Sequence, residues 1–381
     1  VVRSIGQSSR SSPQIRKVSM RARKTFLVIC FAGLLLAVTA VASELALRIS
    51  GHISTASIHA ISNADFVRVP GMFEPNQSVE ETPHPKLHYH ATINSLGYRG
   101  PEFQRIRPPH VIRILCLGDS GTFGQFVNDD ETLSANLEQM LRQEGNSVEV
   151  INGGVPGTTI VDQVEILKRS MSLAPDIVIL TFSENDITDL EAEPSQFAAL
   201  AENRGVKGQT GLKTVYELVR DTALFNYFLK VRATWNTYST PHVSTGVLIS
   251  SPEDSEARHE QLWAKYSHHL ETMLQTLSNG NIRLIFNGYP THQRIGADTF
   301  TDDRSRIQLS RAETLARNMG ITTISLLPSF RETGLTKEEL YHLPYDGHAN
   351  RMGYLIQAKA LLPALRESIQ EVRNISPASR P

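Results

Sequence analysis

Four short segments of this chain carry residue types that together could transfer an acyl group. They are Gly118-Asp119-Ser120, the run Asn152-Gly153-Gly154-Val155-Pro156-Gly157, Ser183-Glu184-Asn185-Asp186, and Tyr345-Asp346-Gly347-His348-Ala349-Asn350. A serine hydroxyl is a weak nucleophile until a histidine takes its proton, and a carboxylate must orient that histidine. The oxyanion that forms next needs donors already in place. Ser120 offers a hydroxyl and its own backbone N–H. Gly154 permits close backbone approach and offers a second N–H, and Asn185 offers a side-chain amide. His348 is the candidate base and Asp346 its candidate partner, in a chain order (Ser, Asp, His) shared by several unrelated hydrolases. Each residue also has a purely structural use. Ser120 can cap a helix, as can Asn185 or Asp186. Gly154 and Gly157 can serve a turn with positive φ, and His348 can pack beside the last helix. Their occurrence together and in order favours chemistry.

Such segments need a scaffold that gathers them. Val111–Leu117 (VIRILCL), Val148–Ile151, Ile177–Phe182, Ile282–Phe286 and Thr322–Leu326 read as strands. Apolar residues at helical spacing mark Glu131–Glu144 (Leu133, Leu137, Met140, Leu141) and Thr159–Ser170 (Ile160, Val164, Leu167). Further helices are expected around Leu262–Leu277, Ile307–Met319 and Asn350–Leu365. This alternation predicts an α/β fold: a flavodoxin-like three-layer αβα sandwich around a parallel sheet of about five strands. In such a sheet the carboxyl ends of the strands converge on one crevice, and three of the four segments directly follow a predicted strand. Residues 187–257 interrupt the rhythm with a predicted helix, Thr214–Arg232, and a Ser/Thr/Pro-rich loop. They read as an insertion over the carboxyl edge, either a substrate wall or a packing excursion.

The chain has 381 residues, with 38 Lys plus Arg against 39 Asp plus Glu, so no global field points to nucleic acid. Charge is unevenly placed, however. Residues 1–24 contain Arg3, Arg10, Arg16, Lys17, Arg21, Arg23 and Lys24 and no acid. Thr25–Ser43 follows without a charge, and at about 1.5 Å per residue it nearly spans a bilayer core of about 30 Å. The apolar run continues through Leu45–Leu47, which suits a transmembrane anchor at 25–47 with the amino terminus inside and the body exported. The Ala40-x-Ala42 pattern supplies the rival expectation, a cleaved signal peptide and a secreted body. Met20 opens a compact basic leader and could be the true start. Residues 48–110 read as linker and lead-in, 111–370 as the catalytic domain and 371–381 as a tail. Cys30 and Cys116 sit in the apolar span and the first strand, so no disulfide is expected. His84, His88 and His90 match no metal-binding spacing, and a solvent-exposed loop is expected there.

The four blocks, Ser120, Gly154, Asn185 and His348 in that order, resemble the GDSL or SGNH hydrolases, a family named for those four residue types. The resemblance extends from Val111 to Leu365. Glu44-Leu45-Ala46-Leu47-Arg48 and Asn94-Ser95-Leu96-Gly97-Tyr98-Arg99-Gly100 resemble features of its membrane-anchored bacterial members. The resemblance implies a serine esterase acting on an O-acylated small molecule or cell-envelope glycan, with no metal or organic cofactor. An acyltransferase using the same residues, or a scaffold that kept the fold, are the other readings. Two departures stand out. The family places its acid three residues before the histidine, a position held here by Tyr345, whereas Asp346 is two before. Its third block reads Gly-x-Asn-Asp, so Glu184 in Ser183-Glu184-Asn185-Asp186 either faces solvent or tunes the pocket.

Overall fold

The structure is a computed structural model that describes residues 13–50, 58, 61, 68–84, 87–191, 222–225, 227–228, 252–295 and 303–374. In chain order its elements are α1 (Pro13–Ser50), the hairpin β1 (Ser78–His84) and β2 (Leu87–Thr92), β3 (Ile112–Gly118), α2 (Ser120–Phe123), α3 (Leu133–Gln143), β4 (Val148–Gly154) and α4 (Ile160–Ser170). Then come β5 (Ile177–Phe182), α5 (Asn185–Asp189), α6 (Pro252–Ser278), β6 (Arg283–Gly288), α7 (Asp303–Asn318), β7 (Thr322–Ser325), α8 (Leu326–Glu332), α9 (Lys337–Leu340) and α10 (Arg351–Asn374). Most of the predicted helix Thr214–Arg232 and of the 187–257 insertion lies outside the described residues.

Five strands form a parallel sheet in the order β4-β3-β5-β6-β7. Every residue of β3 and β5 is buried, so these strands are nearly all apolar, Arg113 and Thr181 apart, while alternate residues enter two different cores. Leu115, Leu117, Val178, Leu180 and Phe182 meet α4, α6 and α7 on one face. Ile112, Ile114, Cys116, Ile177 and Ile179 meet α3, α8 and α10 on the other. The result is an αβα sandwich. Its register sets Gly118 opposite Gly154 and Phe182 opposite Gly288, which levels the carboxyl ends where the chemistry-bearing segments begin.

Arg113, wholly buried within β3, looks out of place in an apolar strand. Its five N–H donors all find acceptors: Glu149 takes two, and the carbonyls of Gln104, Arg105 and Leu173 take the rest. A buried charge is tolerable on those terms.

The residues expected as linker and lead-in are more structured than that description suggests. Val79, Tyr89 and Ala91 of the hairpin form a small core with Phe126. Each polar residue of Asn94–Gly100 has a definite contact. Asn94 Oδ1 accepts the N–H groups of Leu96 and Tyr98, the Tyr98 hydroxyl meets Ser170 Oγ at 2.7 Å, and Arg99 reaches under α2. Gly97 sits at φ +78, and a side chain there would come within 2.8 Å of the Phe73 carbonyl.

The described residues fall into two units, α1 with residues 222–225 and 227–228, and the sandwich with its lead-in. Within the first, Arg23–Ile49 is 27 residues, long and apolar enough to cross a membrane, a test that a signal sequence also passes. Glu44 in this unit accepts the N–H groups of Ala223 and Leu224 at 2.9 and 2.8 Å.

Candidate active site

Ser120 opens α2 directly after β3, with Asp119 as the cap, its side chain accepting the Gly121 N–H at 2.9 Å. The first amides of a helix lack intrahelical acceptors, which leaves the Ser120 N–H without one inside α2. His348 sits on a tight loop between α9 and α10. The His342 carbonyl accepts the N–H groups of Tyr345 and Asp346, and the His342 N–H donates back to the His348 carbonyl. Asn350 closes the loop by accepting from Met352 and Gly353 and donating to the carbonyls of Glu339 and Tyr341.

The fold brings three predicted residues into one hydrogen-bonded line. Ser120 Oγ lies 2.8 Å from His348 Nε2, and His348 Nδ1 lies 2.5 Å from Asp346 Oδ1. An ionised carboxylate only accepts, so Nδ1 carries the proton and Nε2 presents a lone pair to the serine; that tautomer follows from the network. Asp346 Oδ1 also accepts the His348 backbone N–H at 2.7 Å. The one-residue departure from the family's spacing is thereby absorbed, because an acid two residues before the histidine bonds both its ring and its amide. Burial would raise the Asp346 carboxyl, but these hydrogen bonds outweigh it and hold the group below its ordinary 3.8.

A cavity of about 200 Å³ lies against this line, with Ser120, Asn185, Tyr289, Thr291 and His348 among its walls. Asn185 Nδ2 contacts Asp189 at 2.8 Å and Asp119 at 3.4 Å, the second at the long limit of a hydrogen bond. Gly154 is not among the cavity walls. Its N–H donates to Asn152 Oδ1 at 3.1 Å, and a side chain there would come within 2.2 Å of the Phe123 amide nitrogen. The glycine lets α2 pack directly on the end of β4.

The acidic residues beside Ser120 and Asn185 are buried. Glu184 does not face solvent: it is 8% exposed and ion-paired with Arg294, which is 4% exposed. Burial raises the Glu184 carboxyl above 4.5, with the Arg294 charge opposing. The pair ties the loop after β5 to the loop after β6. Asp119 is pushed up by burial against hydrogen bonds from Gly121, Ser183 and Asn185. Asp186 is pushed well up by burial and by the charge of Asp119. Arg294 and Thr291 could be found only by knowing which strand ends meet; Arg99, by contrast, lies in a segment already conspicuous in the sequence.

A parallel αβα sandwich with a hydroxyl–imidazole–carboxylate line at its strand ends is a protein equipped for acyl chemistry. A model of the GDSL-like lipase/acylhydrolase family matches residues 116–356, well over half of the chain, and the chain belongs to that family. It is an enzyme that acts on ester bonds. Solved structures similar to it include an acetylxylan esterase from Geobacillus stearothermophilus, at 15% identity over 66% of this chain and 93% of the other, TM-score 0.39. Another is an α/β hydrolase from the metagenome of Lake Arreo, Spain, at 15% identity over 66% and 94%, TM-score 0.37. Among curated protein sequences, none matches.

Proposed function

We propose that this enzyme is a membrane-anchored serine esterase that removes O-acyl groups from an extracytoplasmic substrate, with Ser120 as nucleophile, His348 as base and Asp346 as the acid that orients it. The observation that carries the reading is the Ser120–His348–Asp346 line at 2.8 and 2.5 Å, assembled from segments 228 residues apart. Ser120 Oγ attacks the ester carbonyl as His348 Nε2 takes its proton. The tetrahedral oxyanion is held by the Ser120 N–H and by Asn185, whose long contact to Asp119 is the one to yield. Gly154 joins them only if its N–H leaves Asn152. Collapse expels the alcohol, which receives the proton from His348. Water, deprotonated by the same imidazole, then attacks the acyl-enzyme and releases the acid and Ser120.

In this reading 1–24 is a basic leader on the inner side, 25–47 the anchor and 111–370 the catalytic domain. The basic flank and the helix Arg23–Ile49 support that topology. A cell-envelope glycan as the acylated substrate rests on the anchor and on the resemblance to membrane-anchored bacterial members. The test is p-nitrophenyl acetate turnover by the full chain and by Ser120→Ala, with and without a polyol acceptor. We expect the variant to lose at least about 10⁴-fold in kcat with an unchanged Tm. Equal turnover by both proteins would overturn the nucleophile, and ester appearing on the acceptor would identify transfer instead of hydrolysis.

A further inference from the structure

We propose that Phe126 is a positioning residue whose ring fixes the orientation of the His348 imidazole, and that it is held in place from outside the family-matched segment by Arg99 and Tyr89. The proposal rests on the reading of His348 as base given above. Phe126 lies at φ +65, a left-handed conformation that bulky residues rarely adopt and that persists only where the surroundings enforce it. Here they do. The buried Arg99 guanidinium donates to three carbonyls around it: Phe123 at 2.9 Å, Gly124 at 2.6 Å and Val127 at 2.6 Å. Its Nε donates to Asp129 Oδ1 at 2.9 Å, and Asp129 Oδ2 in turn accepts the N–H and hydroxyl of Thr92 at the end of the hairpin. The loop also begins at the nucleophile, since the N–H groups of Gly124 and Gln125 both donate to the Ser120 carbonyl.

Held this way, the Phe126 ring stands nearly perpendicular to three others. It meets Tyr89 at 5.8 Å and 84°, His342 at 6.2 Å and 88°, and His348 at 5.7 Å and 80°. The two hydrogen bonds of His348 run along its ring plane and fix its nitrogens, but they resist swinging of the ring out of that plane only weakly. A perpendicular aromatic wall supplies the missing restraint. Tyr89 packs against the same ring, so the hairpin reaches the base through one intermediate ring.

The test compares Phe126→Ala, Phe126→Gly, Phe126→Tyr and His348→Ala in the full chain, by kcat and KM on p-nitrophenyl acetate and by the rate at which a fluorophosphonate labels Ser120. Alanine and glycine both remove the ring, but only glycine relieves the left-handed backbone. We expect both to lower kcat and the labelling rate by about 10–100-fold with KM little changed, the scale of a small misplacement of a catalytic group. Tyrosine should retain most activity, a rescue that keeps the proposal testable if alanine fails to fold. Wild-type kcat in the alanine and glycine variants, alongside an inactive His348→Ala, would overturn this proposal alone. Loss in glycine but not in alanine would overturn it in favour of the backbone turn. Unchanged turnover and labelling in His348→Ala would overturn the base and this proposal together.

Discussion

The two ends of the parallel sheet bury charge in opposite ways. At the amino end, Arg113 is saturated: all five donors are used, and Asp176 accepts both the Arg113 backbone N–H at 2.9 Å and Arg107 Nη1 at 3.0 Å. At the carboxyl end, capacity is left over. Among the described residues, Asp186 Oδ1, Arg294 Nη2 and His342 Nε2 are buried without a partner, and the carboxyls of Asp119, Glu184 and Asp186 are all pushed upward by burial. Saturated charge holds strands together and does nothing else. Unsaturated charge is costly in a folded protein, and its concentration at one end of the sheet is where a reacting group has something left to bind. The same contrast predicts that substitutions at one end should be felt in stability and at the other in turnover.

The largest effect is expected from Asp346→Asn. With an amide in place of the carboxylate, His348 can turn its lone pair away from Ser120, and kcat should fall by roughly 10⁴-fold, about 5.5 kcal/mol of barrier, with a modest fall in Tm at neutral pH. The pH dependence has a definite sign. A carboxyl held below 3.8 in the folded state contributes stability that is fully present above 3.8 and is lost as pH falls through the lower folded value. Wild type and variant should therefore converge in Tm only in that acid range. Convergence near neutral pH would place the charge on some other group.

Next comes Glu149→Ala at the opposite end. It strips two of the five hydrogen bonds of the Arg113 side chain and leaves a buried guanidinium uncompensated, at a cost of about 3–5 kcal/mol in urea unfolding. Turnover per folded molecule should stay at the wild-type value, since the substitution lies at the far end of the strands from Ser120. A large loss of kcat would break the division between the two ends.

How much of this could be read from the sequence follows from where each interaction sits along the chain. The strands were legible because β3 and β5 are apolar runs interrupted only by Arg113 and Thr181. Ser120 and His348 were legible because each lies in a short block with its own punctuation. Asp346 was legible as a candidate although its spacing departs from the family's, and only the loop geometry shows the carboxylate reaching both the ring and the amide. Gly154 was visible as a glycine, but its tight approach to Phe123 depends on how α2 settles on β4. Glu184–Arg294, Arg113–Glu149 and Arg99 with the 123–127 loop are contacts between distant segments. No local pattern encodes a partner that lies 24 to 110 residues away.

The smallest effect should be a gain. Asp186 Oδ2 accepts the Ser183 N–H at 2.9 Å, while Oδ1 has no partner among the described residues, and burial together with the charge of Asp119 raises the carboxyl well above 3.8. Above pH 3.8 the unfolded chain can ionise this group and the folded chain resists, so wild type loses stability as pH rises toward the folded value. Asparagine keeps the acceptor for Ser183 and places an N–H where the protonated acid has its O–H, without the ionisation. Asp186→Asn should match wild type in acid and surpass it at pH 7 by about 1 kcal/mol, roughly 2–4 °C in Tm. A loss at pH 7 on the scale of Glu149→Ala would show that Asp186 is ionised and paired like the charges at the amino end, and the contrast between the two ends would then fail at this residue.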